Sequence, residues 1–326
     1  MGTGADQALS GVLLDRATID AGGDIAFSDL ESIFPKWRSF DYTAKADVDE
    51  RIRGATVVIS NKAVLDAASI RAAPQLRFVC IAATGTNNVD LQVAKKLGIP
   101  VSNVRRYATP AVSQHTMALI LALSTRLIDY HEAVRAGRWQ QAMQFCLLDY
   151  PIHELDGRTL GIVGYGELGQ GVAGLARAFG MKVLIAQRPG GPAQADRVPL
   201  NDLLPQVDVL SLHCPLTAET KGLIGERELK LMKPDAILIN TARGGIVDEA
   251  ALASALHAGI IGGAGIDVLT VEPPASGNPL LADDIPNLIV TPHSAWASRE
   301  TRQRLVDEVA ANIRAFLDGN PRNLVV

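Results

Sequence analysis

Residues 160–169 read Leu-Gly-Ile-Val-Gly-Tyr-Gly-Glu-Leu-Gly, and residues 170–178 continue as a stretch of helical character. An apolar strand, a Gly-x-Gly-x-x-Gly turn and a helix in direct succession leave a chain few folds to choose from. Gly164 permits the tight turn, and Gly166 has no Cβ, so backbone N–H groups can approach a pyrophosphate. Gly169 lets the helix lie close to the strand, with its N-terminus aimed at the phosphates. A bare glycine triplet is as often a plain turn. The flanking strand and helix make this one a nucleotide site, with Gly164, Gly166, Glu167, Leu168 and Gly169 as its contacts.

The turn lies near the middle of 326 residues, so something folds ahead of it. That length suggests about two domains. Hydrophobic residues at 48% and charged residues at 20% fit a globular chain with a large core. The net charge of -4, with both signs interspersed, recommends neither nucleic acid nor a membrane surface and leaves small molecules as the expected partners. Cys80, Cys146 and Cys214 are far apart and read as reduced residues, with no metal site. No apolar run reaches membrane-spanning length, and residues 1–10 lack the regions of a signal peptide, so a cytoplasmic location is expected.

Short apolar runs at 12–14, 55–59, 76–82 and 101–103 precede the turn, separated by helix-like stretches such as 66–73 and 90–97. After it, runs recur at 182–186, 209–213, 236–240, 264–267 and 288–291. This alternation predicts an α/β chain with two parallel sheets. Residues 110–126 form a long apolar helix candidate with Pro110 in its first turn, read as a crossing between domains. Residues 298–317 carry Leu305, Val306, Val309, Ile313, Phe316 and Leu317 at helical spacing, a second crossing. If that helix returns to the first sheet, residues 1–103 and 294–326 form one domain and residues 104–293 an insertion, with a ligand cleft between them. The alternative is that it caps the nucleotide domain.

In open α/β sheets ligands bind beyond the carboxyl ends of the strands. The run 236–240 leads to Arg243 between glycine-rich neighbours, 264–267 leads to Glu272 before two prolines, and 288–291 leads to His293. Each alone reads as a surface or loop residue. Together, in a sheet that also carries a dinucleotide turn, they read as one site.

These segments resemble the D-isomer-specific 2-hydroxyacid dehydrogenase family: residues 161–169, His213-Cys214-Pro215-Leu216-Thr217, residues 239–248, Gly265-Ile266-Asp267-Val268 through Glu272-Pro273, and Thr291-Pro292-His293. The match spans nearly the whole chain. Residues 83–90, 145–152 and 293–298 are most similar to the glycerate dehydrogenase, or hydroxypyruvate reductase, branch. The resemblance implies two doubly wound domains, a Rossmann NAD(P)-binding domain inserted into a flavodoxin-like substrate domain. It implies hydride transfer between a nicotinamide and a small 2-oxo or 2-hydroxy acid: reduction of hydroxypyruvate or glyoxylate, oxidation of D-glycerate. His293 would give the proton to the carbonyl oxygen, and Glu272 would orient the imidazole and favour its charged form. Arg243 would offer a planar fork of donors to the substrate carboxylate and carbonyl oxygen.

By the same resemblance Asp267 would bond the nicotinamide carboxamide, and Thr109, Thr241, Cys214 and Pro215 would line that end. The loop 83–88 could bind a carboxylate through the backbone of Thr84, Gly85 and Thr86, so that closure assembles the site. The rival reading is a strand-to-helix turn ahead of Asp90 as a cap. Trp296 could wall the substrate pocket or merely pack. The strand ending at Ala186 runs into Gln187 and Arg188, where an NAD pattern would place an acid; NADPH, or dual use, is therefore favoured, and the rival reading is that Arg188 faces solvent and NADH binds through Gln187. Residues 135–139 and 145–152 resemble the family's dimer-forming arm, with Trp139, Phe145 and Tyr150 as anchors of a homodimer. Two other readings stay open. One is a nucleotide-sensing protein like the related corepressors, and the other is a formate- or phosphite-type hydride transfer enzyme.

Overall fold

The computed structural model describes residues 9–192 and 194–326; most of the segment on which the signal-peptide expectation rests lies outside them. Two compact units form: residues 9–108 with Ala297–Val326, and Thr109–Trp296. Among the described residues no helix is long and apolar enough to cross a membrane. Nor does any group of His, Cys, Asp and Glu among them have the arrangement to hold a metal ion.

The first unit has strands β1 Ser10–Leu13, β2 Lys36–Ser39, β3 Val57–Ser60, β4 Phe78–Ile81 and β5 Val101–Ser102. They pair in parallel in the order β2-β1-β3-β4-β5, the flavodoxin-like arrangement. Its helices are α1 Ser28–Glu31, α2 Val48–Ile52, α3 Ala67–Arg71 and α4 Leu91–Lys96. Strands β1, β3 and β4 are buried along their whole length, as parallel strands covered on both faces are, and this is why they read as unbroken apolar runs. Strand β2 was not expected. It is an edge strand of sequence Lys-Trp-Arg-Ser whose residues alternate between exposed and half-buried, so it shows no apolar run.

The C-terminal helix α11, Arg299–Leu317, belongs to this unit. The Ser298 side chain caps it, Phe316 stacks on Phe78 of β4 with ring centroids 4.4 Å apart, and Asn312 Nδ2 donates to Asn103 O at 2.9 Å. Arg302 grips the Asp24 carboxylate through two nitrogens, each at 2.8 Å.

The second unit has strands β6 Thr159–Val163, β7 Lys182–Ile185, β8 Val209–Leu212, β9 Ile237–Asn240, β10 Gly263–Ile266 and β11 Leu288–Val290. All are parallel, in the order β11-β10-β9-β8-β6-β7. A single parallel rung between Ala186 and Val198 extends the sheet past β7, where the doubly wound dinucleotide fold has its third strand. The strand order reverses between β6 and β8, so the crevice at their carboxyl ends is the switch point at which such sheets bind ligands.

The helices here are α5 Thr109–Ser124, α6 Leu127–Arg135, α7 Glu167–Ala178, α8 Leu200–Leu203, α9 Glu226–Leu231 and α10 Glu249–His257. Helix α5 stops two residues short of Arg126, which takes a left-handed backbone with φ 54°. Trp296 lies in the turn before α11, not in a helix.

Candidate active site

Gly164 follows β6 with φ +93°, a conformation that a side chain would strain, and a Cβ there would lie 2.6 Å from Cys214 N. A Cβ on Gly169 would lie 2.2 Å from Gly164 O, so helix α7 packs onto the turn through bare backbone. Gly166 is the N-cap of α7, with no side chain capping the helix, and a Cβ built on it would meet nothing within 4 Å. The space beside the start of the helix is therefore open. The positive end of the helix dipole and a cradle without side chains fit the pyrophosphate of a nicotinamide dinucleotide.

Beyond β7 the Gln187 side chain turns back, its Nε2 donating to Pro192 O at 2.7 Å. The Thr217 hydroxyl, chiefly, and the nearby charge of Arg188 hold the Glu219 carboxyl below its ordinary pKa. A second cation missed by sequence reasoning is Arg197, whose guanidinium lies 5.1 Å from the ring centre of Tyr165 inside the glycine turn. Cys214 is buried beside this turn, and burial pushes its thiol up to about 11, which disfavours the nucleophilic thiolate. Burial likewise pulls the His213 imidazole down to about 4; its Nδ1 is enclosed without a hydrogen-bond partner, and Nε2 lies 2.9 Å from Ser211 Oγ. Thr109 opens α5, and Pro215 is exposed, with its carbonyl accepting from Thr220 Oγ1 at 2.7 Å.

At the ends of β10 and β11 the structure brings Asp267, Glu272 and His293 together. His293 Nδ1 lies 2.6 Å from Glu272 Oε2, while Glu272 Oε1 accepts from Leu269 N at 2.8 Å. A carboxylate only accepts, so Nδ1 carries the hydrogen of this contact and Nε2 is left for a ligand. His293 has φ 52°, a left-handed backbone that costs a non-glycine residue roughly 1–2 kcal/mol. The conformation is held from several sides. His293 N donates to Asp267 O at 2.8 Å, and the next two amides, Ser294 N and Ala295 N, donate to the Asp267 carboxylate at 2.9 and 3.0 Å. Thr291 Oγ1 donates to the same carboxylate, which is only 1% exposed. Asp267 thus anchors the turn that carries His293, a role its position in the sequence does not announce. Glu272, His293, Leu269, Pro273, Leu281 and Val290 border a cavity of about 400 Å³.

Arg243 stands on the loop after β9. Asn240, the last residue of that strand, holds the loop by accepting from Ala242 N at 3.1 Å and donating to Arg243 O at 2.9 Å. A Cβ on Gly244 would lie 1.9 Å from Leu269 O and 2.5 Å from Thr270 N, so this loop is pressed against the backbone that leads to Glu272. The guanidinium donates through Nη1 to Ala242 O at 2.6 Å. Thr241 is buried, its Oγ1 3.0 Å from Thr116 Oγ1. Trp296 is half-buried.

Thr84, Gly85 and Thr86 belong to the first unit, after β4. The Thr84 hydroxyl donates to Val104 O at 3.0 Å, whereas the N–H groups of these three residues donate to no described residue. Asp90 caps α4 through Val93 N at 3.0 Å, so the helix-cap reading and the open amides coexist in one loop. On the arm after α6, Met143, Phe145 and Leu148 are almost fully exposed. The backbone of Tyr150 is held by Tyr130 OH, which bonds its N and O at 3.1 and 2.8 Å.

Residues 117–295, more than half of the chain, match the family described as D-isomer specific 2-hydroxyacid dehydrogenase, NAD binding domain. Glycerate dehydrogenase of Methylorubrum extorquens is 46% identical over 316 residues, covering 96% of this chain and 98% of that protein. Hydroxypyruvate reductase of Blautia hydrogenotrophica is 38% identical over 321 residues, again 96% and 98%. Among solved structures, the NADPH-dependent glyoxylate/hydroxypyruvate reductase of Sinorhizobium meliloti, in complex with NADP and malonate, aligns with a TM-score of 0.81 at 28% identity, over 98% of this chain and 97% of that one.

Proposed function

The chain belongs to the D-isomer-specific 2-hydroxyacid dehydrogenase family, NAD(P)-dependent oxidoreductases, and from that premise we propose that it reduces hydroxypyruvate or glyoxylate and, in reverse, oxidises D-glycerate. The observation that carries the site assignment is the 2.6 Å contact between His293 Nδ1 and Glu272 Oε2 in the unit that holds the glycine turn. When bound, the nicotinamide supplies or accepts the hydride. His293 gives a proton from Nε2 to the carbonyl oxygen of the 2-oxo acid, where negative charge builds as the carbon is reduced, and takes the hydroxyl proton back in oxidation. Glu272 keeps the ring oriented and stabilises the imidazolium. Arg243 offers its remaining N–H groups to the substrate carboxylate and to the same carbonyl oxygen. Within the first unit, the open amides of Thr84, Gly85 and Thr86 would be donors to a carboxylate; in the second, Trp296 is assigned to the pocket wall.

Gly164, Gly166, Glu167, Leu168 and Gly169 would hold the pyrophosphate, and Thr109, Thr241, Cys214, Pro215 and Asp267 the nicotinamide end. Gln187 and Arg188 would meet the adenosine ribose. The strand end at Ala186 is followed directly by Gln187 and Arg188 and not by an acid, which supports NADPH over NADH; Arg197 stands at the same end, its Nε 3.5 Å from Asp196 Oδ2. The exposed side chains of Trp139, Met143, Phe145 and Leu148 support a homodimer, and a cytoplasmic enzyme without nucleic-acid or membrane partners fits the composition. Initial rates with hydroxypyruvate, glyoxylate, pyruvate and an aromatic 2-oxo acid, each with NADH and NADPH, test the reading. It holds if one of the two small acids with NADPH gives the highest kcat/KM, and fails if the aromatic acid does.

A further inference from the structure

Consecutive residues of α5, His115 and Thr116, each hold the residue two positions ahead of a candidate catalytic group. Thr116 Oγ1 lies 3.0 Å from Oγ1 of Thr241, which precedes Arg243. His115 Nε2 lies 3.1 Å from Oγ1 of Thr291, which precedes His293, and 3.6 Å from Asp267 Oδ1. The direction of the second chain of bonds follows from its far end. The Asp267 carboxylate only accepts, so the Thr291 hydroxyl spends its hydrogen there and must accept from His115. The hydrogen between the first two groups therefore sits on His115 Nε2, and the relay runs from His115 through Thr291 to Asp267.

Asp267 in turn holds Ser294 N and Ala295 N with its carboxylate and His293 N with its carbonyl. The left-handed backbone of His293 persists only while those contacts do. These half-buried hydrogen bonds in series end on a buried carboxylate and align one another, so loss of the first donor frees the Thr291 hydroxyl to rotate and loosens the anchor of the turn. We propose that His115 is a positioning residue of the hydride-transfer reaction: as a donor to Thr291 it sets the aim of His293 from the second turn of α5. The inference rests on the assignment of His293 as the proton donor, and it adds a group that touches neither substrate nor cofactor.

The test compares H115A, H115Q and H293Q in the full-length enzyme, reading kcat, KM for hydroxypyruvate, cofactor Kd by fluorescence and thermal midpoint. Removal of the donor in H115A should lower kcat about tenfold or more, with KM and cofactor Kd within about twofold. H115Q, whose amide restores a donor at similar reach, should recover kcat to within about threefold of the parent. The pair T291V and T291S repeats the comparison if H115A does not fold, with Val low and Ser near the parent. The proposal is overturned if H115A keeps parental kcat, if H115Q is as slow as H115A, or if the loss lies wholly in KM or cofactor Kd. H293Q separates this from the assignment beneath it: an active H293Q removes the proton donor itself, whereas an inactive H293Q beside a fast H115A removes only the relay.

Discussion

Glu272 meets His293 with one carboxylate oxygen and the backbone with the other: Oε2 is 2.6 Å from His293 Nδ1, and Oε1 takes the Leu269 N–H at 2.8 Å. The acid is therefore held in place by its own loop before it acts on the imidazole. An amide cannot do the same, because it has one oxygen for two donors. In E272Q either Leu269 N or His293 Nδ1 faces an NH₂ group, and kcat should fall by about 10² with cofactor affinity unchanged. Steady-state kinetics beside a cofactor titration check this; a variant within threefold of the parent would contradict it.

Arg243 is assigned to the substrate through a fork of donors, and a lysine offers a point charge instead. R243K is expected to lose roughly 10²-fold in kcat/KM for the 2-oxo acid, split between a higher KM and a lower kcat. The cofactor Kd should not move. Rate measurements over a range of hydroxypyruvate concentrations show the split.

Gly244 is where the Arg243 loop lies against the backbone of Leu269 and Thr270, and a Cβ would overlap Leu269 O at 1.9 Å. The neighbouring atoms are main chain, which cannot swing aside. G244A should therefore push the two loops apart, lowering stability by about 1–3 kcal/mol and activity by more than the stability loss explains. Thermal melts and kcat measured well below the melting range separate the two effects.

Much of this architecture could be read from residues alone, for a physical reason. Parallel strands covered on both faces, such as β3, β4, β8 and β9, must be apolar throughout, so the polar residues that follow them stand out. Arg243, Glu272 and His293 were visible in that way, as was the glycine turn. Strand β2 was not, because an edge strand of alternating exposure needs no apolar run. The anchoring by Asp267 and the relay from His115 were invisible for a different reason. The anchoring depends on a carboxylate meeting the backbone amides of the next loop, and the relay on side chains that meet across more than 150 residues of chain; a helix residue facing two loops leaves no local spacing to read. Arg197 was hidden likewise, since its contact with Tyr165 arises only once the β7 edge folds back on the glycine turn.

His213 gives a dependence of stability on pH. Its imidazole titrates near 4 in the folded protein, against an ordinary value of 6.5, because burial disfavours the charged ring. Between those values the unfolded chain binds the extra proton, so stability rises with pH across this window and is lost as pH falls from 6.5 toward 4. The residue keeps some contact with solvent, which limits the effect to about 2 kcal/mol. H213Q, unable to titrate, should show a shallower fall of the melting temperature between pH 6.5 and 4.5 than the parent; parallel curves would exclude this role.

The central claim is that His293, aimed by Glu272, is the proton donor of a 2-oxo acid reductase. Its most direct test is the rate of NADPH or NADH oxidation with hydroxypyruvate by the parent enzyme and by H293Q, with cofactor binding measured on both. The account predicts turnover by the parent and a loss of about 10³-fold or more in H293Q with the cofactor still bound. An H293Q variant within tenfold of the parent, or a parent that oxidises neither cofactor with any 2-oxo acid, would contradict it.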